Sequence, residues 1–393
     1  MLVLTGAKSQ AGTLGPLPHE SRIGGSDDYT GFGTYGVSPE SPNGQRIIYL
    51  KFDKTGLSPT DGKTPAALWV CNADLTGHRK VRDIEFDVRV HNGALQQWVD
   101  NDSVAYSGGT TFEGSARVVN IDTGVTEHGP YQGAIFGDTN YDGHLLLSVW
   151  HPTSPVGQQG LYELDTHTGN LTLIHPMSFF ADRYNEKWDD GTDDPRGWVF
   201  AHGRYSKFGK HLAFTISTAN EFDRSYGQYG NVKSKQHMFT CKRDGSSIRH
   251  WGTDKPMHFD WLNDNNLFGS DIGVENDGHE GELRLIKSWT RGKVYRETLG
   301  GLGCHIAQSP DARWFAGESW YGSKPVEFWI YARHNTTPAV RVFRHEKDRM
   351  TWKKHKAHVN PAFSRDSQKI YYKRPINEDT AQAFVVRLED LGL

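Results

Sequence analysis

Cysteine is scarce. Cys71, Cys241 and Cys304 are the only three in 393 residues, an odd number too small for a disulfide framework and one that suits a reducing compartment. Neither sign of charge prevails: 44 Lys and Arg stand against 47 Asp and Glu, a formal net charge of −3. That balance leaves no basic footprint for nucleic acid and no charged face for a membrane surface. No apolar run is long enough to span a bilayer. Long charge blocks and low-complexity tracts are missing, which argues against disorder. No Gly-x-Ser-x-Gly elbow occurs, which disfavours a serine hydrolase. The opening Met1-Leu-Val-Leu-Thr-Gly is too short for a signal peptide. This fits either a cytoplasmic protein or the mature form of a secreted one.

Glycine is plentiful, at 43 residues, and aromatics make up 12% of the chain. Both suit short strands joined by tight turns. A strand ending in an Asp/Thr/Gly turn recurs, as in Leu68-Trp-Val-Cys-Asn-Ala-Asp-Leu-Thr-Gly77, Ala116-Arg-Val-Val-Asn-Ile-Asp-Thr-Gly124 and Leu161-Tyr-Glu-Leu-Asp-Thr-His-Thr-Gly169. A turn leading into an apolar strand precedes each, for example Asn43-Gly-Gln-Arg-Ile-Ile-Tyr-Leu50 and Ser367-Gln-Lys-Ile-Tyr-Tyr372. The count is about seven units of roughly 40 to 60 residues with four strands each, the pattern of an all-β, seven-bladed β-propeller. Two β-sandwiches are the rival. Residues 1–393 are expected to form one domain, with Met1–Thr5 adding a strand to the last blade and removing an exposed edge. Helical periodicity is scarce. The stretch 177–195, which contains Trp188-Asp-Asp-Gly-Thr-Asp-Asp194, breaks the rhythm and is expected to be a long surface loop. Its acidic cluster reads as solvated or as calcium-binding.

A polar residue recurs four positions before the turn. His202 precedes Ser206, His258 precedes Leu262, His305 precedes Ser309 and Asn360 precedes Ser364. Equal register means an equal place in each repeat, and the first strand of every propeller blade lines the channel. These side chains are therefore expected to converge. Imidazole suits transition divalent ions and the Asn amide oxygen adds a hard ligand. His258, His305, His355, His358 and Asn360 are thus metal candidates, with Mn, Ca and Zn unresolved. His358 and Asn360 share a face of an extended strand, and His355 joins them if the chain bends. Channel histidines around ordered water would be placed the same way.

Two further constellations stand out. Val90-His91-Asn92-Gly93-Ala94-Leu95-Gln96-Gln97-Trp98 places His91 ahead of a small Gly-Ala pair, with room for a ligand or for packing on Trp98. Pro195-Arg196-Gly197-Trp198-Val199-Phe200-Ala201-His202-Gly203-Arg204-Tyr205 gathers guanidinium, imidazole and phenol groups. Arginine takes carboxylates bidentately, so Arg204 and Arg196 suit an acidic sugar; Arg196 equally suits a salt bridge to Asp193 or Asp194. Tyr131 and Gln132 lead into another inner strand and either bind substrate or pack.

The register of the metal candidates resembles that of the oligogalacturonate lyases, a seven-bladed propeller family. The family holds a divalent cation, typically manganese, with a His four before a blade turn and a Gln-x-x-His-x-His cluster in the last blade. His258 stands at the first position, His358 and Asn360 at the two later histidines, and His355 where the family has Gln. The family's Cys-His-Glu-Gly segment is replaced by Ala213-Phe-Thr-Ile-Ser-Thr218. The His91 segment looks more like related propeller lyases acting on glucuronate linked to rhamnose, including ulvan lyases and the rhamnosyl-glucuronate lyases of gum arabic degradation. In that group a histidine in this region is the base; where some members carry a second histidine, this chain reads Ser107-Gly-Gly-Thr-Thr-Phe112.

The resemblance implies a polysaccharide lyase working by β-elimination. Such an enzyme removes the C5 proton of a uronate and expels the oxygen at C4. It needs positive charge on the carboxylate and a base near neutral pKa, which histidine supplies. His91 is the expected base and Arg204, with Arg196, the carboxylate partner. Tyr205 or a water is the expected acid, His202 a further catalytic group, and Gln97, Tyr131, Gln132 and Trp198 substrate contacts. The expected partner is an acidic oligo- or polysaccharide substrate, with no nucleic-acid or membrane partner, and the protein is expected to be a monomer. The alternatives are an oligogalacturonate lyase or, in another class, a non-catalytic binding propeller. A glycoside hydrolase would need two carboxylates facing a pocket.

Overall fold

The computed structural model describes residues 17–54, 63–108, 115–184, 198–218, 237–251, 257–270, 285–290, 298–319, 326–345, 358–376 and 380–393. These residues form seven four-stranded antiparallel sheets, consistent with a propeller, and one two-stranded ribbon. Within each sheet, strands adjacent in sequence pair with one another, as short hairpin turns require. The chain groups into two compact units. The first, Met1–Ile84 with Arg89–Gly93 and Asp254–Leu393, carries four of the sheets; the second, Glu85–Val88 with Ala94–Thr253, carries three.

One turn recurs with the same bonds in four sheets. Ser41, Ser206, Ser309 and Ser364 each donate their backbone N–H to the carbonyl five residues on. The N–H of that residue returns to the serine Oγ at 2.8 to 3.0 Å, in Arg46, His211, Trp314 and Lys369. The serine hydroxyl thus satisfies a donor that the tight turn would otherwise strand. This explains why serine marks the repeat. At the fifth instance Leu262 closes a shorter turn, its N–H reaching Asn266, and Asn263 Oδ1 supplies the side-chain acceptor. Ser364 is fully buried. Ser364→Ala is therefore expected to cost about 1–3 kcal/mol, because buried donors lose their acceptor; equilibrium urea denaturation of the variant checks this.

In the first unit one sheet joins both ends of the described chain. Ser21–Ile23 pairs with Ala381–Arg387, followed by Lys369–Pro375 and Ala362–Phe363. The edge strand expected at Met1–Thr5 lies outside the described residues, and Ser21–Ile23 occupies an edge of this sheet. Glu20, just before it, takes the Arg374 guanidinium through Nε at 2.8 Å and Nη2 at 2.6 Å, with both side chains buried.

The surface loop expected over 177–195 is helical at its start: Met177–Tyr184 is an α-helix. Met177 and Phe180, three apart, face one side and pack with Phe200, Phe214 and Phe239 in the core of the second unit. A loop was expected because a two-turn helix offers too few repeats to show a period. The acidic stretch that follows lies outside the described residues. Cys71 and Cys241 are buried in strands among hydrophobic side chains, as small core residues.

Candidate functional site

In the first unit three imidazoles gather around that of His305. His91 Nε2 and His305 Nε2 are 3.5 Å apart. The His91 ring stacks on His358 with centroids 3.7 Å apart, and His358 stands at 88° to His305 at 4.3 Å. His258 lies on the other side of His305 at 4.4 Å between centroids, its Nδ1 3.7 Å from Cys304 Sγ. Tyr35 packs on both His258 and His305. Two groups of ligand atoms, each within 4.8 Å, result: His91, His305 and His358, and His258, Cys304 and His305.

The strands explain this placement. The Ser309–Trp314 turn fixes a register that, continued past the pair Ile306 and Gly317, sets His305 opposite Glu318. Directly opposite side chains are neighbours in an antiparallel pair. Glu318 Oε1 accepts from His305 Nδ1 and, at 3.1 Å, from His358 Nδ1, while the Val359 N–H donates to Oε2 at 2.7 Å. The Ser364–Lys369 turn in the same way sets Asn360 opposite Lys373. Lys373 Nζ donates to the carbonyls of Val90 at 2.9 Å and His91 at 2.8 Å. Asn360 Nδ2 donates to the same His91 carbonyl at 2.6 Å and to that of Gly33 at 3.2 Å. His258 and Asn360 have left-handed backbones, at φ 47° and 44°. His258 also sits in a bulge, where the strand register shifts between Met257 and Asp260. Bulges re-aim side chains, and strain of this kind gathers at functional sites.

The electrostatics favour neutral imidazoles. Burial, the neighbouring His305 and Lys373 hold His91 well below the usual histidine value. Burial, His91 and His305 do the same to His358. Burial pushes the Glu318 carboxyl up to about 8, against the pull of the Val359 N–H and Lys373. It pushes Lys373 down to about 7, against the pull of Glu318.

The donor set fits a divalent cation. Two nitrogens about 2.1 Å from one ion in tetrahedral geometry would lie about 3.4 Å apart, close to the separation of the His91 and His305 Nε2 atoms. The Asn360 Oδ1 is buried and has no hydrogen-bond partner among the described residues, an orphan acceptor beside this group. The ligands expected together from sequence are partly redistributed. His91, expected as a base, joins His305 and His358, whereas His258 goes with Cys304. His355 lies outside the described residues.

His202, Arg204 and Tyr205 belong to the second unit, and the structure corrects the roles expected for two of them. The Arg204 guanidinium is fully buried and donates to Asp138 Oδ2 through Nε at 3.2 Å and Nη2 at 3.0 Å. It neutralises a core carboxylate and has no surface for a sugar acid. Tyr205 is buried too, its hydroxyl donating to Glu163 Oε2 at 2.8 Å beside Arg243. Burial and the Glu163 carboxylate push its phenol well above the usual value, against its use as an acid. His202 Nδ1 contacts Asp138 Oδ2 at 3.1 Å from a bulge with φ 50°. Here Gly137 and Gly203 let two backbones meet: a Cβ on Gly137 would stand 2.6 Å from the Gly203 carbonyl oxygen.

The expected substrate contacts fare similarly. Gln97 is fully buried, donating to the Gly137 carbonyl at 2.7 Å and accepting from Asn140 at 3.0 Å. It spans two sheets rather than facing a ligand. Tyr131 and Gln132 end the edge strand Thr126–Gln132 and lead into Ala134–Tyr141, the first strand of the next sheet, with Tyr131 packed on the core and Gln132 exposed. Trp198 begins the strand Trp198–Tyr205, and Arg196 lies outside the described residues. Glu318, Lys373, Cys304, Tyr35 and Asp138 were not expected from sequence. The hairpin register alone marks the first two, since each stands opposite a repeat-position residue.

No protein-family model matches the sequence, and no curated protein matches it. Solved structures do. An oligogalacturonate lyase from Vibrio parahaemolyticus is similar at a TM-score of 0.60 and 12% identity, over 93% of this chain and 92% of that one. An oligogalacturonate lyase in complex with manganese is similar at 0.55 and 14%, over 98% and 96%. A prolyl endopeptidase structure is similar at 0.52 and 13%, over 92% of this chain and 50% of that one. At these identities the likeness establishes a shared, propeller-type fold, and a fold carries more than one chemistry.

Proposed function

We propose that the seven sheets are the blades of one propeller and that the chain is a uronate-degrading polysaccharide lyase acting by β-elimination. The observation that carries this reading is the convergence of His91, His305 and His358 in front of a buried carboxylate. Their donor set suits a divalent cation, with Asn360 Oδ1 at hand. When bound, a cation there would supply the positive charge that stabilises the enolate-like form of a uronate carboxylate. That replaces the role expected for Arg204.

We assign the base to His258. The His91 ring is stacked on His358 with its Nε2 turned to His305, the posture of a ligand. His258 stands outside that group, half-buried, on a strained bulge beside Tyr35. It takes the C5 proton. The C5–H electrons form the C4–C5 double bond, the C4–O bond breaks, and the departing oxygen takes a proton from water. The His91-Asn-Gly-Ala-x-x-Gln-Trp98 segment favours glucuronate linked to rhamnose as the substrate, ahead of oligogalacturonate.

Ultraviolet absorbance during incubation with gum arabic, ulvan and oligogalacturonate, with and without added Mn²⁺, tests the reading. The expected result is a cation-dependent rise from the unsaturated uronate, largest on a rhamnose–glucuronate glycan. A rise on oligogalacturonate alone would reassign the substrate. No rise on any glycan would set the lyase aside in favour of a binding propeller.

A further inference from the structure

We propose that Glu318 is the positioning residue of the cation site: one carboxylate that sets the tautomers of two imidazoles, His305 and His358, and turns their Nε2 atoms to a common point. The inference rests on the reading of His91, His305 and His358 as the ligands.

Three other buried carboxylates provide the contrast. Glu20 faces the guanidinium of Arg374, Asp138 that of Arg204, and Glu40 takes Lys369 and the Tyr371 hydroxyl. Each meets a cation directly, as burial of a charge requires. Glu318, fully buried, spends one oxygen on two imidazole Nδ1 atoms and the other on a backbone N–H. An ionised carboxylate only accepts. With Glu318 ionised, as a cation bound in front of the rings would favour, both rings carry their proton on Nδ1 and present a lone pair on Nε2. Sharing a single oxygen also fixes their near-perpendicular setting of 88°. A carboxylate behind a ligating histidine makes the ring a better donor and holds its orientation. Here one carboxylate does so for two.

The third ring is placed by other means. Among the described residues Glu318 bonds His305, His358 and Val359, not His91. The backbone carbonyl of His91 is clamped by Lys373 Nζ and Asn360 Nδ2, and its ring rests on His358. Glu318 therefore acts on two ligands, and loss of its charge should leave His91 in place.

Glu318→Gln provides the test. Its amide has one acceptor oxygen and one donor nitrogen: with the nitrogen toward the imidazoles at least one ring must turn or change tautomer, and with the nitrogen toward Val359 it meets that backbone N–H. Zn²⁺ affinity, by competition against a chromophoric chelator, is expected to fall by about 10- to 100-fold, as for loss of other carboxylates behind ligands. Nitrogen-15 spectra of the metal-free protein, taken above about pH 8 where the Glu318 carboxyl is ionised, should show His305 and His358 as Nδ1–H tautomers in the wild type and a mixture in the variant. Glu318→Asp keeps the charge. It should keep Nδ1–H signals and recover part of the affinity, and it carries the test if the glutamine variant does not fold. Wild-type affinity and unchanged tautomers in a folded Glu318→Gln would overturn the assignment. Failure of the wild type itself to bind Zn²⁺ or Mn²⁺ would instead remove the cation reading, and the tautomer spectra would still judge Glu318.

Discussion

Replacing His258 by alanine is expected to lower turnover of the responsive uronate glycan by about 10²- to 10⁴-fold, the usual contribution of a general base, with cation affinity unchanged. His91→Ala is expected to weaken cation binding and turnover together. The pair tests an exchange of jobs, because the sequence resemblance made His91 the base and His258 a cation ligand. His91 carries the segment that looks like a catalytic motif, yet its Nε2 lies 3.5 Å from that of His305 and its ring stacks on His358. Initial rates from ultraviolet absorbance, beside a Mn²⁺ titration of each variant, give the answer. If His91→Ala binds Mn²⁺ normally but does not turn over, and His258→Ala is fully active, the base is His91.

The second large effect is on stability. Asp138→Asn is expected to destabilise the protein by about 3–5 kcal/mol, because it leaves the Arg204 guanidinium buried without its counter-charge. Burial by itself would raise the Asp138 carboxyl. His202 and Arg204 outweigh that and hold it below the usual value. A carboxyl depressed in the folded state contributes stability that is present above its unfolded pKa. That stability is lost as pH falls through the folded value. Wild-type stability should therefore decline in acid below the usual carboxylate range, and the Asn variant should lack Asp138's share of that slope. Urea denaturation at a series of pH values measures both. A variant as stable as the wild type at neutral pH would show that Arg204 finds another partner.

The fold was legible because its repeats are written in turn chemistry. The Ser turn, which needs a hydroxyl at one place and a hydrogen-bonded donor five residues on, recurs in the sequence as it does in the sheets. The site was half legible. That His258, His305 and Asn360 come together was legible from register, because equal distance from the turn is equal height in the strand, and His358 was legible from its place two residues before Asn360. Glu318 and Lys373 were missed because each sits in an apolar strand and looks like a chance charge; only pairing across the hairpin sets them opposite His305 and Asn360. Arg204 was misjudged for the opposite reason. Near histidine and tyrosine it resembles a recognition residue, but its partner Asp138 comes from a strand 66 residues away, a distance at which sequence spacing says nothing. The short helix Met177–Tyr184 was hidden by its length.

The bulges at His202 and His258 also bear on how such a protein can change. At these positions the ladder of strand hydrogen bonds is already interrupted, so the side chain there is not chosen for pairing. A substitution alters what faces the ligand without unzipping the sheet behind it. Chemistry and folding are thus carried by different residues of the same strand. A library confined to positions 202 and 258 should yield mostly folded variants, whereas equal diversity at the serines of the turns should not.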